Sequence, residues 1–143
     1  MSKTYAGDVS PEECWAALAS DPRALLVDVR TAAEWTYVGF PVLDGGRRPL
    51  FQEWQSFPTM AVDPGFSEKL SAQIEEAGGS RETAVFLLCR SGVRSIAGAE
   101  ALTAAGFARC FNVLDGFEGP PDAEGHRGRA AGWKAEGLPW GQR

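Results

Sequence analysis

The chain has 143 residues, 44% of them hydrophobic and 23% charged, which is the balance of one globular domain and not of a disordered or collagen-like chain. Lys plus Arg number 14 against 19 Asp plus Glu, and the net charge of −5 argues against bulk binding to nucleic acid or to an anionic membrane, both of which call for a basic surface. Three cysteines without a CxxC pair and the single His126 exclude a four-ligand zinc set, no signal peptide is visible, and apolar stretches of about five residues fall far short of a membrane span.

In chain order, Ser10-Pro11-Glu12-Glu13 predicts a helix start with a capping box, running to about Ser20 with Cys14, Ala17 and Leu18 on one face. Asp21-Pro22 stops it, and Ala24-Leu25-Leu26-Val27 reads as a short buried strand ending at Asp28. Thr31 and Glu34 form a second capping box for a short helix through Trp35 and Tyr37. Residues 39–65 are rich in Gly, Pro and aromatics (Phe40, Phe51, Trp54, Phe57) and read as loop with a short strand. A helix from about Gly65 to Ala77 carries Phe66, Leu70 and Ile74 four apart and ends at Gly78-Gly79.

Ala84 to Leu88 is the clearest buried strand, followed by Cys89-Arg90-Ser91-Gly92-Val93-Arg94 and a helix from about Ser95 to Ala105. Gly106 stops that helix, with Phe107 placed to pack back on Leu102. Cys110 to Leu114 reads as another strand, Asp115-Gly116-Phe117 as a turn, 118–128 as a loop and Trp133–Gly137 as a short closing helix. Strands alternate with helices, so the expected architecture is α/β, a parallel sheet covered on both faces.

Cys89 ends a buried strand just before a helix, the place where open α/β sheets hold their ligands. Gly92 allows the backbone to curl with its N–H groups turned inward as an anion nest, and the helix start adds the positive end of its dipole. Arg is unfavourable at that end of a helix unless an anion is expected there, and this segment carries two, Arg90 and Arg94. Together these features favour a thiolate, making Cys89 a nucleophile without a histidine base, provided that the thiol is open to solvent. The competing reading is an inert strand-end cysteine, and for the arginines a solvated pair. Asp28 and Arg30 read as a structural pair tying the strand end to nearby loops. Cys14 and Cys110 read as packing residues, His126 as a solvated loop residue, and Trp133 and Trp140 as anchors for the C-terminal segment.

The segments LLVDVRTAAEW, LLCRSGVRS, LTAAGF, NVLDGFEG and GWKAEGLPW, in that order over about Ser10 to Trp140, resemble the single-domain rhodanese sulfurtransferases. The resemblance implies a single rhodanese-like domain over residues 1–143 with a central parallel sheet of about five strands. It also implies that Cys89 accepts a sulfane sulfur as a persulfide and passes it to cyanide, a thiol or a protein. Arg90, Ser91, Gly92, Val93, Arg94 and Ser95 would then bind the substrate, their amides cradling the sulfur and Arg90 and Arg94 attracting an anionic donor such as thiosulfate. No metal or organic cofactor is required. A cytoplasmic monomer or homodimer is expected, its partners a small anionic sulfur donor and a thiol or protein acceptor.

The chain departs from many members at Val38-Gly39-Phe40-Pro41-Val42-Leu43, where a Gly-His-Ile-Pro-Gly-Ala stretch is common, and from the two-domain thiosulfate enzymes at Glu34 and Ser91. These differences bear on the donor and not on the persulfide step. The aromatic segment could wall off the persulfide, though core packing is the plainer role. The related phosphatases have one more residue between Cys and Arg, so the six-residue loop favours a sulfur atom over a tetrahedral phosphate. A phosphatase or arsenate reductase using this loop is the less favoured alternative, and a non-catalytic relay or binding module is the other.

Overall fold

The computed structural model describes residues 5–45, 47–56, 59 and 61–142. Its centre is a five-stranded sheet: β1 (Gly7–Val9), β2 (Leu25–Asp28), β4 (Leu50–Phe51), β7 (Val85–Leu88) and β8 (Cys110–Val113). The spatial order is β1-β8-β7-β2-β4 and every pairing is parallel, with Val27 opposite both Leu50 and Leu87. All five strands therefore end on the same edge, which carries Asp28, Cys89 and the turn after Val113.

The apolar runs at β2 and β7 lack a polar face because helices cover both sides. Val27, Val29, Val85, Leu87 and Cys89 face α3 (Phe66–Glu76) and α4 (Arg94–Ala104), where Phe66, Leu70, Ile74, Ala99 and Leu102 complete one core. Ala24, Leu26, Phe86 and Leu88 face α1 (Pro11–Ser20), meeting Cys14, Leu18, Phe117 and Trp133. Capping boxes close the N-termini of α1, through Ser10 and Glu13, and of α2 (Ala32–Tyr37), through Thr31 and Glu34. No helix among the described residues is long and apolar enough to cross a membrane.

Three expectations change. The edge strand β1 was not foreseen, because Gly7-Asp8-Val9 has no apolar run; its place is set by pairing with β8. The 39–65 segment holds four two-residue strands, with β3 (Phe40–Pro41) paired to β9 (Trp140–Gly141), and β5 (Gln55–Ser56) to β6 (Ala61–Val62). Residues 133–137 form turns, not a helix: flanked by Gly132 and Gly137, this stretch makes only scattered bonds such as Glu136 N–H to Gly132 O at 3.0 Å.

Candidate active site

Strand β7 delivers Cys89 to the carboxyl edge, and the chain turns through residues 90–93 into α4. The turn requires Gly92, whose φ of +93° is the left-handed region that disfavours a side chain. A Cβ there would also press to 3.1 Å from the Asp115 amide. Helix α4 begins with Val93 as its N-cap and no side-chain cap, so its first-turn amides and the positive end of its dipole stay available on this side.

Two groups reach the sulfur of Cys89 among the described residues. Gly92 N–H donates to Sγ at 3.1 Å, and Ser95 Oγ lies 3.2 Å from it. The amides of Arg90, Ser91, Val93, Arg94 and Ser95, which the sequence reading also turns toward the sulfur, make no hydrogen bond to it. The cradle is thus one amide plus one hydroxyl.

Behind the loop, the turn after β8 clamps the strand end. Phe117 N–H donates to Cys89 O at 2.7 Å, while Glu118 and Gly119 N–H donate to Arg90 O at 2.9 and 3.0 Å. This approach depends on Gly116 (φ +59°), where an added Cβ would lie 2.2 Å from Cys89 O.

Cys89 is 1% exposed, less open than the sequence reading requires, but it is not walled in on every side. With Arg90, Ser91, Val93 and Arg94 it lines a cavity of about 530 Å³. Glu34, Val38, Gln55, Glu118 and Arg127 line the same cavity, which gives a partner of the thiol a route of approach.

The charges in the cavity differ from the sequence expectation at Arg94. Its guanidinium is held by Glu34 in a two-pronged pair, Nη1 to Oε1 at 2.7 Å and Nη2 to Oε2 at 2.9 Å, with the side chains 17% and 19% exposed. Burial pushes the Glu34 carboxyl up, but the hydrogen bonds and charge of Arg94 outweigh it and hold the group below the usual carboxylate range. Burial likewise works against the Arg94 cation, and Glu34, with a smaller contribution from Cys89, raises it instead. Arg94 is therefore largely neutralised in place. Arg90 is exposed on the loop, and Arg127, which donates to Gly119 O at 2.7 Å, adds a cation that sequence order did not reveal.

Asp28 and Arg30 are both fully buried and bonded through Nε to Oδ1 at 3.0 Å and Nη2 to Oδ2 at 2.7 Å. Arg30 also donates to Gly39 O at 2.7 Å and lies 4.2 Å over the Phe117 ring, joining the end of β2 to both neighbouring loops. Cys14 and Cys110 sit in the two cores; burial pushes the Cys14 thiol up strongly and that of Cys110 up to about 11. His126 is exposed in its loop, Trp133 is fully buried with Nε1–H donated to Pro139 O at 2.6 Å, and Trp140 is 43% exposed on β9.

The aromatic segment packs instead of walling the cavity. Trp54 meets Phe66 edge-on at 4.9 Å, while Phe51 meets Trp35 at 5.0 Å and Phe40 at 6.3 Å, and none of these rings lines the Cys89 cavity; Phe57 lies outside the described residues. Sequence reasoning also missed Asn112, buried behind Ser95, whose one signal was a polar residue in an otherwise apolar strand run. Glu34, in sequence a capping residue and a departure that bears on the donor, keeps its cap and also holds Arg94.

The chain is similar to several known proteins. The family described as the STR4 middle domain matches residues 6–143. The crystal structure of Rv0390 from M. tuberculosis is 48% identical, with a TM-score of 0.87 over 97% of this chain and 99% of that one. An uncharacterized protein of Rickettsia rickettsii, the RP600 homolog, is 37% identical over 86% of this chain and 87% of its own length. Rhodanese-like domain-containing protein 4, chloroplastic, of Arabidopsis thaliana is 27% identical over 94% of this chain, which spans 25% of that protein. The solution structure of the polysulfide-sulfur transferase homodimer from Wolinella succinogenes, 21% identical with a TM-score of 0.60 over 98% of this chain and 80% of that one, shares the fold.

Proposed function

Because the chain belongs to the rhodanese-like family, within the group of the STR4 middle domain, we propose that it transfers a sulfane sulfur through a persulfide on Cys89, acting as one domain over residues 1–143. Family membership supports a sulfurtransferase or sulfur-relay role. The observation that carries the finer reading is the thiol of Cys89 at the strand edge, held by Gly92 N–H and Ser95 Oγ beside a cavity that bears Arg90 and Arg127.

With thiosulfate as donor, the thiol first gives up its proton to solvent. The thiolate then attacks the outer sulfur, the S–S bond of the donor breaks, and sulfite leaves with the bonding pair. The terminal sulfur of the resulting persulfide is anionic, and the Gly92 amide, the helix dipole and the two arginines stabilise it. A nucleophile such as cyanide or a thiol attacks that outer sulfur, and the Cys89 thiolate leaves, ready for another turn. The chain's own groups do this chemistry, with Asp28 and Arg30 bracing the strand edge. The remaining members of the loop, Ser91, Val93, Arg94 and Ser95, shape the donor site.

The test is intact mass after incubation with thiosulfate. A gain of one sulfur atom on the wild type, reversed by cyanide and absent in Cys89→Ser, is the expected result. If no sulfane donor leaves an adduct, the transfer reading falls. A persulfide that forms but resists small acceptors would assign the protein to relay between proteins.

A further inference from the structure

Behind the sulfur runs a line of hydrogen-bonded polar groups, fully buried at Ser95 and Asn112 and half-buried at Asp8 and Tyr5. Ser95 Oγ donates to Asn112 Oδ1 at 2.5 Å, since an amide oxygen can only accept. The Nδ2 of Asn112 donates to Asp8 Oδ1 at 3.1 Å, and Tyr5 Oη donates to the same oxygen at 2.8 Å. Tyr5 remains protonated, its hydroxyl pushed up to about 12 by burial and then by Asp8. Ser95 and Asn112 are fully buried, so solvent does not replace the bond between them, whereas Asp8 and Tyr5 are half-buried.

Counting protons along the line fixes its direction. A carboxylate at Asp8 accepts only, so it turns the amide N–H of Asn112 toward itself and the amide oxygen toward Ser95. That oxygen takes the single hydroxyl proton of Ser95. What Ser95 presents to Cys89, 3.2 Å away, is then a lone pair, which welcomes an S–H and not a bare anion. We propose that Asp8, acting through Asn112, fixes Ser95 as an acceptor and so holds Cys89 in its thiol form, a proton-ordered brake that opposes the Gly92 amide and the helix dipole.

Thiolate formation requires the Ser95 hydroxyl to turn toward sulfur, which strands the buried oxygen of Asn112. Asp8 and Asn112 are thus positioning residues for Ser95. Among the described residues, the other charged groups about this line include Arg90 and the Arg94–Glu34 pair at the loop, the Asp28–Arg30 pair at the end of β2, and Glu100 of α4 beside Tyr5. None of them accepts the proton of Ser95.

The inference rests on Cys89 as the reactive thiol, the reading given above, but it is read by alkylation and needs no sulfur transfer. The rate of iodoacetamide labelling of Cys89 is followed from pH 5 to 9 in the wild type, Asp8→Asn, Ser95→Ala and the double variant. An amide at position 8 allows Asn112 to flip and give its N–H to Ser95, freeing the hydroxyl proton for sulfur. Asp8→Asn is expected to label roughly tenfold faster near pH 6 with an unchanged plateau at high pH, and to have no such effect in the Ser95→Ala background. An equal gain in that background would show a direct through-space charge effect, and no gain, or a gain at every pH, would show no ordering role; each overturns the proposal. If Asp8→Asn does not fold by circular dichroism, Asn112→Leu removes the acceptor of the Ser95 proton and must give the same gain, again lost with Ser95→Ala. Should the labelling pattern hold while no sulfane donor modifies Cys89, the transfer reading fails and the proton ordering stands.

Discussion

Replacing Gly116 with alanine tests whether the turn after β8 positions the reactive loop. Two costs add. The φ of +59° imposes a left-handed penalty of about 1 kcal/mol on any residue with a Cβ. That Cβ would also lie 2.2 Å from Cys89 O and 2.7 Å from the carbonyl carbon of Arg90, so backbone must move by about an ångström to reach ordinary contact. The movement breaks the hydrogen bonds from Phe117, Glu118 and Gly119 to the Cys89 and Arg90 carbonyls, at roughly 1 kcal/mol each. The sum is about 4 kcal/mol, a melting temperature lower by roughly 12 °C in a chain of this size. Gly125→Ala is the control, because Gly125 also has a left-handed φ (+83°) but open space around its Cβ. It should lose only about 1 kcal/mol, or about 3 °C. Scanning calorimetry gives both temperatures, and iodoacetamide labelling of folded protein gives the reactivity of Cys89, which should fall several-fold in Gly116→Ala alone. Equal melting of the two variants, or full labelling in Gly116→Ala, would show that the clamp does not hold the loop.

Glu34→Gln keeps an acceptor for the Thr31 cap but removes the charge facing Arg94, at about 1 kcal/mol of stability near neutral pH. Because folding lowers the titration of this carboxyl, its contribution is present above the ordinary glutamate range and is lost as pH falls through the lowered value; the difference in melting temperature between variant and wild type should therefore vanish in acid, and a constant difference would contradict the ion-pair account. The same variant frees Arg94, so KM for thiosulfate should fall, whereas a rise would mean that Arg94 needs Glu34 to hold it in place. Arg30→Met strands the buried Asp28 carboxylate and should cost about 3–5 kcal/mol, a melting temperature at least roughly 9 °C lower; a loss under about 3 °C would deny the pair its bracing role. At neutral pH, iodoacetamide should add one group to the folded protein, on Cys89, since burial raises the Cys14 and Cys110 thiols; labelling of either in Cys89→Ser would contradict their packing in the cores.

Much of the scaffold and the centre of the site were legible because their causes are local. Ser10 and Thr31 announce helix starts through side chains three residues apart, and Val85 to Leu88 reads as the clearest buried strand of the chain. Cys89, Gly92 and the helix start follow one another without a gap, so their meeting needs only the conformation of six residues.

What the order of residues determined by itself, then, was the alternation of strands and helices and the place of the thiol at a strand edge, each set by neighbours in sequence. Packing alone decided which distant groups share that edge. Glu34, 60 residues away in the chain, neutralises Arg94, Arg127 arrives from a loop with no periodic signal, and Asp8 reaches the site only because β1 pairs with β8. Nothing local to those residues encodes their partners, since charge pairing and proton order depend on distances that exist only once the sheet has brought its strands together.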